Sequence, residues 1–278
     1  MRNKTHVGIH CKLITYNYIS MLRIKHLLLA TVPAALMGCG SSAMMSGPQA
    51  SVVMSHDEAA GHRLLLMKPA PGTQLRLVSC KQHDYSGAPS IDDPTILLNI
   101  AAAFTLDTES MDVCGDHVVA GRRIKGYDDV TATGHMLIVG NNVSISPNSH
   151  LNESINEATS TGGYLFQQCL IVEDGKGKVE RIPQALRERN PHIIFRAACI
   201  MTDGSLAIVQ GDEPMYCDEF INSLVALGAR QALYLDMGTW AWGWVREAGK
   251  PTQELAERFF NTRYQSNWLQ VVAPPARQ

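Results

Sequence analysis

The dipeptide Asp203-Gly204 constrains this chain most. It stands between two apolar runs, Ile193 to Met201 and Ser205 to Gln210, and it accepts the positive φ that a tight hairpin turn demands. A turn of that kind joins antiparallel neighbours, and similar punctuation recurs along the chain. The runs His62 to Pro69 and Gln74 to Cys80 are joined by Pro69-Ala70-Pro71-Gly72. Gly134 to Ser146 folds about Gly140-Asn141-Asn142, and the strand Tyr164 to Val172 ends in the turn Glu173-Asp174-Gly175-Lys176. Thr95 to Phe104, His117 to Ile124, Trp240 to Val245 and Trp268 to Val272 read as further strands. Helical spacing is clearest in Tyr216 to Leu227, where Phe220, Leu224 and Leu227 share a face and Gly228 suits the C′ position. Short helices are expected at Asn152 to Thr159, Ile182 to Glu188 and Glu254 to Phe260. Many short strands, a few helices and no regular βαβ alternation place the chain in the α+β class, on mixed or antiparallel sheet.

The N-terminal end reads as targeting rather than fold. From Met21, the basic Arg23, Lys25 and His26 precede the apolar run Leu27 to Ala35, and Leu36-Met37-Gly38-Cys39 follows. A charged start, a short apolar core and a small residue before cysteine describe a lipoprotein signal with lipidation at Cys39. The apolar run is too short to span a bilayer. Residues 1–38 are thus an upstream extension plus signal peptide, 39–60 a flexible tether, and 61–278 one domain. The expected location is the bacterial cell envelope, lipid-anchored and facing the periplasm. With Cys11 and Cys39 set aside, Cys80, Cys114, Cys169, Cys199 and Cys217 remain. None forms a C-x-x-C pair, so a zinc site is not indicated. Cys169 and Cys199 lie in apolar runs and read as core. One disulfide among the five is open, its partners unspecified.

A formal net charge of −2, with lysines and arginines scattered rather than striped, gives no footprint for nucleic acid. Nucleotide, dinucleotide and serine-hydrolase fingerprints are absent. Lone His117 and His135 lack metal-ligand spacing. No metal or cofactor is implied. The segment Gln231 to Trp240 concentrates what chemistry there is: an apolar strand runs into Asp236, then Met237, Gly238, Thr239 and Trp240. Such an arrangement delivers one acid at a strand end.

These residues resemble the phosphodiester glycosidase family. The likeness rests on Phe195-Arg196-Ala197 leading a strand to Asp203-Gly204, on Leu227-Gly228-Ala229 after the helix, and on Leu235-Asp236-Met237-Gly238-Thr239 where that family has a glycine-rich tail. Leu98 to Phe104 and Phe166 to Lys176 are similar to two of its upstream strands. The resemblance implies hydrolysis of a glycosidic bond in a sugar-1-phosphodiester or related envelope glycan. It implies Asp236 as central carboxylate and Arg196 as phosphate clamp, since arginine's planar fork matches phosphate oxygens. Gly238 and Thr239 are expected to donate to the ligand, Asn99 to bond sugar or orient Asp236, and Trp240 to stack on a sugar face.

Plainer roles stand beside these. A strand-end Asp often caps a turn. Arg196 suits an ion-paired edge position, and a buried Asn99 needs hydrogen-bond partners of its own. Trp240, Trp242 and Trp244 alternate at period two, which puts them on one sheet face and favours core packing. The rival to an enzyme is a non-catalytic glycan-binding or structural envelope lipoprotein with the same fold.

Overall fold

The computed structural model describes residues 51–79, 89–106, 109–184, 187, 193–237, 241–257, 262 and 264–274. Within them three sheets meet around one shared core. The strands are β1 (Val52–Ala59), β2 (His62–Pro69), β3 (Gln74–Ser79), β4 (Ile96–Ala101), β5 (Asp116–Val119), β6 (Arg122–Lys125), β7 (Gly134–Val139), β8 (Asn142–Pro147) and β9 (Tyr164–Gln168). They continue as β10 (Leu170–Glu173), β11 (Lys176–Gly177), β12 (Arg196–Met201), β13 (Leu206–Gly211), β14 (Ala229–Tyr234), β15 (Trp244–Val245), β16 (Gln253–Glu254) and β17 (Asn267–Val272). The α-helices described along their whole length are α1 (Leu151–Thr161) and α2 (Cys217–Ala226).

The largest sheet runs β1-β2-β13-β12-β14-β10-β11; the second runs β16-β15-β4-β17-β3; the third runs β6-β5-β9-β7-β8. Every ladder between these strands is antiparallel, so the fold is α+β as the turns foretold.

Strand alternation assigns the two faces of the large sheet. Leu65, Met67, Ala198, Ile208 and Leu233 face the core shared with the other two sheets, together with Leu98, Ile100, Met136, Phe166 and Leu269. Their neighbours Leu64, Leu66, Ala197, Val209 and Tyr234 face the other way and are covered by Phe220, Ile221 and Leu224 of α2. The third sheet is covered on its outer side by Ile155 and Ala158 of α1, against Val118, Leu137 and Leu165. Helix α2 begins where the Glu219 carboxylate accepts the Tyr216 N–H (2.8 Å), with Asp218 and Glu219 in its positive first turn. It ends where Gly228 takes φ +91°, as its C′ position requires.

Several expectations are corrected. The tether expected over 39–60 gives way at Val52, because Val52–Ala59 pairs along its whole length with His62–Pro69. His117 to Ile124 is a hairpin, not one strand, turned at Ala120-Gly121, both with positive φ. The run Tyr164 to Val172 breaks at Cys169: β9 pairs with β5 and β7 in the third sheet, whereas β10 pairs with β14 in the large one. The break is held by Gln168 Oε1, which accepts the Cys169 N–H at 2.9 Å, and by Thr133 Oγ1, which accepts that of Leu170 at 3.0 Å. The helix expected at Glu254 to Phe260 starts instead as strand, Gln253-Glu254 pairing with Val245-Trp244. Within the one expected at Ile182 to Glu188, Gln184 and Arg187 are helical, while 185, 186 and 188 lie outside the described residues, as do Cys39 and Cys80. Cys114, Cys169, Cys199 and Cys217 are buried and unpaired.

Because Phe220 is buried between α2 and the large sheet and stacks on Phe195 (centroids 5.6 Å apart), Phe220→Ala is expected to lower stability by about 3–5 kcal/mol, read by urea denaturation.

Candidate functional site

Four residues, Ala102 to Thr105, form the place where the three sheets join. Beyond the end of β14, the Leu235 N–H donates to the Arg196 carbonyl (3.0 Å), and the next N–H, of Asp236, donates to the Ala102 carbonyl (2.9 Å). Asp236 therefore stands where the large sheet passes its backbone pairing to the segment following β4. From the second sheet, Asn267 at the start of β17 clamps Ala103: its Oδ1 accepts the Ala103 N–H (2.7 Å) and its Nδ2 donates to the Ala103 carbonyl (3.1 Å). Toward the third sheet, Cys114 N–H donates to the Phe104 carbonyl (2.9 Å), Thr105 bridges to Val113, and the Tyr127 N–H donates to the Val113 carbonyl.

The Asp236 side chain is turned into this junction. Its Oδ2 lies 3.4 Å from the Thr105 N–H; Thr105 Oγ1 in turn shares a hydrogen bond with Ser266 Oγ (3.0 Å). Asp236 is 3% exposed, Ser266 and Asn267 not at all. Burial holds the Asp236 carboxyl well above the usual carboxylate range, against the opposing pull of the Thr105 and Met237 N–H groups. Among the described residues no positive side chain is paired with Asp236. Tyr127 and Cys114 lie in the same surroundings. Burial, reinforced by the charges of Asp129 and Asp236, pushes both the Cys114 thiol and the Tyr127 phenol upward.

Asp129 is thus a second carboxylate near the same groups. It sits in the loop after β6, half-buried, and its Oδ1 accepts from Thr131 N–H (2.8 Å) and Thr131 Oγ1 (2.7 Å). Sequence inspection passed it over, because Asp128-Asp129 reads as an ordinary polar turn. Lys125-Gly126-Tyr127-Asp128-Asp129, an aromatic and two acids in a loop after a strand, was the available signal.

Arg196 is fully buried and bonded internally: Nε and Nη2 both reach Gln210 Oε1 (2.8 and 2.6 Å), and Nη1 reaches the Ala241 carbonyl (3.1 Å). Burial lowers its guanidinium to about 10. The residue thereby makes an internal brace: Gln210, its cross-strand partner across the Asp203-Gly204 hairpin, accepts from the fork and passes a hydrogen bond on to the Leu255 carbonyl (3.2 Å).

Asn99 is likewise structural. In the second sheet Arg76 donates to Gln270 Oε1 (2.7 Å), and Gln270 Nε2 donates to Asn99 Oδ1 (2.8 Å), a polar rung across β3, β17 and β4. It does not reach Asp236. Trp242 and Trp244 pack with Ile96 and Val272, their rings 5.0 Å apart and nearly buried, so core packing prevails over sugar stacking for these two. Gly238, Thr239 and Trp240 lie outside the described residues.

Comparison of this architecture with solved structures is informative.
The fold resembles that of two solved structures.
It matches the catalytic domain of zebrafish N-acetylglucosamine-1-phosphodiester α-N-acetylglucosaminidase, auto-inhibited by its pro-peptide, with a TM-score of 0.53 at 10% identity, covering 84% of this chain and 86% of that one. A hypothetical protein from Synechocystis matches with a TM-score of 0.51 at 11% identity, over 81% of this chain and 62% of that one. No protein-family model and no curated protein matches the sequence. At these identities the likeness establishes a distant structural relationship.

The raised pKa of Asp236 has a stability consequence. Between the ordinary aspartate pKa of about 3.9 and the higher value in the folded chain, the folded state holds the proton and the unfolded state has released it. Stability therefore falls as pH rises through that window. Asp236→Asn, which keeps the shape and removes the ionisation, is expected to raise the urea midpoint at pH 7, with the gap closing near pH 4. At the brace, Arg196→Lys loses the forked contact and is expected to cost about 1–3 kcal/mol. Arg196→Lys combined with Gln210→Leu should cost less than the sum of the two single changes, as a double-mutant cycle would show.

Proposed function

We propose that this protein is a hydrolase of glycosidic bonds, acting on a sugar-1-phosphodiester or related envelope glycan. The observation that carries the reading is the buried acid Asp236 at the strand end, in a fold that resembles a phosphodiester glycosidase catalytic domain. A carboxyl kept protonated by burial is suited to general-acid catalysis. In this reading Asp236 gives its proton to the phosphodiester oxygen as the bond from that oxygen to the anomeric carbon breaks. Water adds to the carbon and loses a proton to the Asp129 carboxylate, completing a two-carboxylate arrangement. Thr105 and Ser266 hold the acid in place. Arg196 acts at a distance, by fixing the Ala241 carbonyl and so the chain that follows Asp236. The protein would work at a membrane surface, tethered through lipid on Cys39 and facing the periplasm.

One observation favours the non-catalytic alternative, a lipoprotein that binds a glycan. The guanidinium of Arg196, which a phosphodiester would need, is fully buried and already engages protein acceptors through all three of its nitrogens.

Hydrolysis of a panel of sugar-1-phosphodiesters separates the two. Turnover by the wild type, reduced about 10²- to 10⁴-fold in kcat by Asp236→Asn and by Asp129→Asn with folding retained, is the expected result. The pH profile should lose its alkaline limb in Asp236→Asn. No turnover across the panel, or turnover indifferent to Asp236, would leave the binding protein as the better account.

A further inference from the structure

His117 is a buried titratable group that the proposed chemistry does not use. It stands in β5, fully enclosed, and neither ring nitrogen has a hydrogen-bond partner. The residues opposite it are apolar. Phe166, its cross-strand partner in β9, meets the ring edge-on with centroids 6.3 Å apart, and Ile124 faces it from β6. His135, also buried in this sheet, differs. Its Nε2 shares a hydrogen bond with Ser154 Oγ (2.8 Å), so a charged ring there keeps an acceptor.

The charged groups on the elements packed around His117 are committed elsewhere. Asp116, the preceding residue, accepts from Arg123 Nη2 and lies 3.6 Å from the Lys125 ammonium, which also reaches Asp128 (3.1 Å). Arg122 is exposed on β6. Arg76 of β3 donates to Gln270, and β9 carries no charged residue. Helix α1 covers the other side of the sheet, over Val118, with Glu153 and Glu157 exposed. Burial therefore pulls the His117 imidazole down to about 3, with Asp116 the smaller, opposing influence. The closed structure has no acceptor for the second N–H that a charged ring carries.

The hairpin that carries this residue is joined to the sheet by a short seam. β6 and β5 are the outermost pair of the third sheet. β5 meets β9 in the register His117 with Phe166 and Val118 with Leu165. Beyond that, the Asp116 N–H donates to Gln167 Oε1 (2.6 Å) and the Gly121 N–H to the Gly163 carbonyl (2.9 Å). An edge unit of this kind can open locally while the large sheet stays folded. We propose that the β5–β6 hairpin is an acid-released latch: in mild acid, protonation of His117 holds it off β9. In the open form the ring takes up a proton at the ordinary value of 6.5. The closed form is therefore fully favoured above that pH and loses ground about tenfold per pH unit below it. Lys125 leads directly into Gly126-Tyr127-Asp128-Asp129, so release reaches the proposed base. That consequence rests on the hydrolase reading; the opening itself does not.

Native-state hydrogen exchange of the full chain, read by amide NMR at pH 7.5 and pH 5, tests the latch without turnover. The protection of the β5 amides is expected to fall about 30-fold between the two, the linkage of one histidine that charges only on opening. The amides of β12 and β14 should stay better protected than those of β5 at both pH values. His117→Leu, which cannot charge, should abolish the fall. If that variant does not fold, the wild-type ring decides: its Cε1–H resonance should keep the neutral position at pH 5 in the closed form. Titration of that resonance near pH 6.5 with β5 still protected overturns the proposal. So do protection in β5 that is indifferent to pH, an equal fall in His117→Leu, and one common protection of β5, β12 and β14 that drops as a whole, which is global unfolding. Turnover is read separately. Its loss in mild acid by the wild type and not by His117→Leu is expected. Opening without turnover at any pH would remove the hydrolase and keep the latch, whereas turnover that stays constant while β5 opens would sever the latch from Asp129.

Discussion

Everything in this molecule converges on the backbone of Ala102 to Thr105. These four residues carry pairing from the large sheet through Asp236, from the second sheet through Asn267 and toward the third through Cys114 and Val113. In the described part of the chain the shared core lies against this junction, so its apolar residues come from strands distant in sequence, such as Leu98, Phe166, Leu233 and Leu269. Buried backbone groups must find partners, and here side chains supply some of them. Asn267 imitates a strand by presenting both a donor and an acceptor to Ala103. Asp236 supplies an acceptor to Thr105. The polar groups at the centre are first a solution to joining three sheets.

That origin explains why the acid is where it is. A carboxyl used to finish a backbone junction is buried, and burial pushes its pKa up. The same demand for internal satisfaction engages the Arg196 guanidinium. Its fork meets Gln210 and its remaining reach ends at the Ala241 carbonyl. Structure and candidate chemistry thus draw on the same side chains, and the balance between them differs from one residue to the next.

The readable part of the fold was whatever local turn chemistry dictates. Asp203-Gly204 fixed a hairpin and, counted outward, its register sets Arg196 opposite Gln210; the brace was therefore implicit in the sequence. Gly228 marked the end of α2, and Asp236 stood out because an apolar strand ended in a lone acid. What could not be read depended on partners far along the chain. Tyr164 to Val172 is uniformly apolar on inspection, so nothing local shows that it changes sheets at Cys169. Glu254 has helical neighbours by spacing, but Trp244 drew it into a strand. Asp129 resembles any loop acid until the fold brings it near Cys114.

The four buried cysteines carry a consequence of another kind. A thiol reacts as its thiolate, and burial pushes Cys169 and Cys217 up to about 12, with Cys114 and Cys199 higher still. Almost none of the reactive form exists at neutral pH. The chain can then keep these sulfurs reduced in oxidising surroundings through slow kinetics, needing neither a reductant nor a bridge, for as long as the junction of its sheets stays closed.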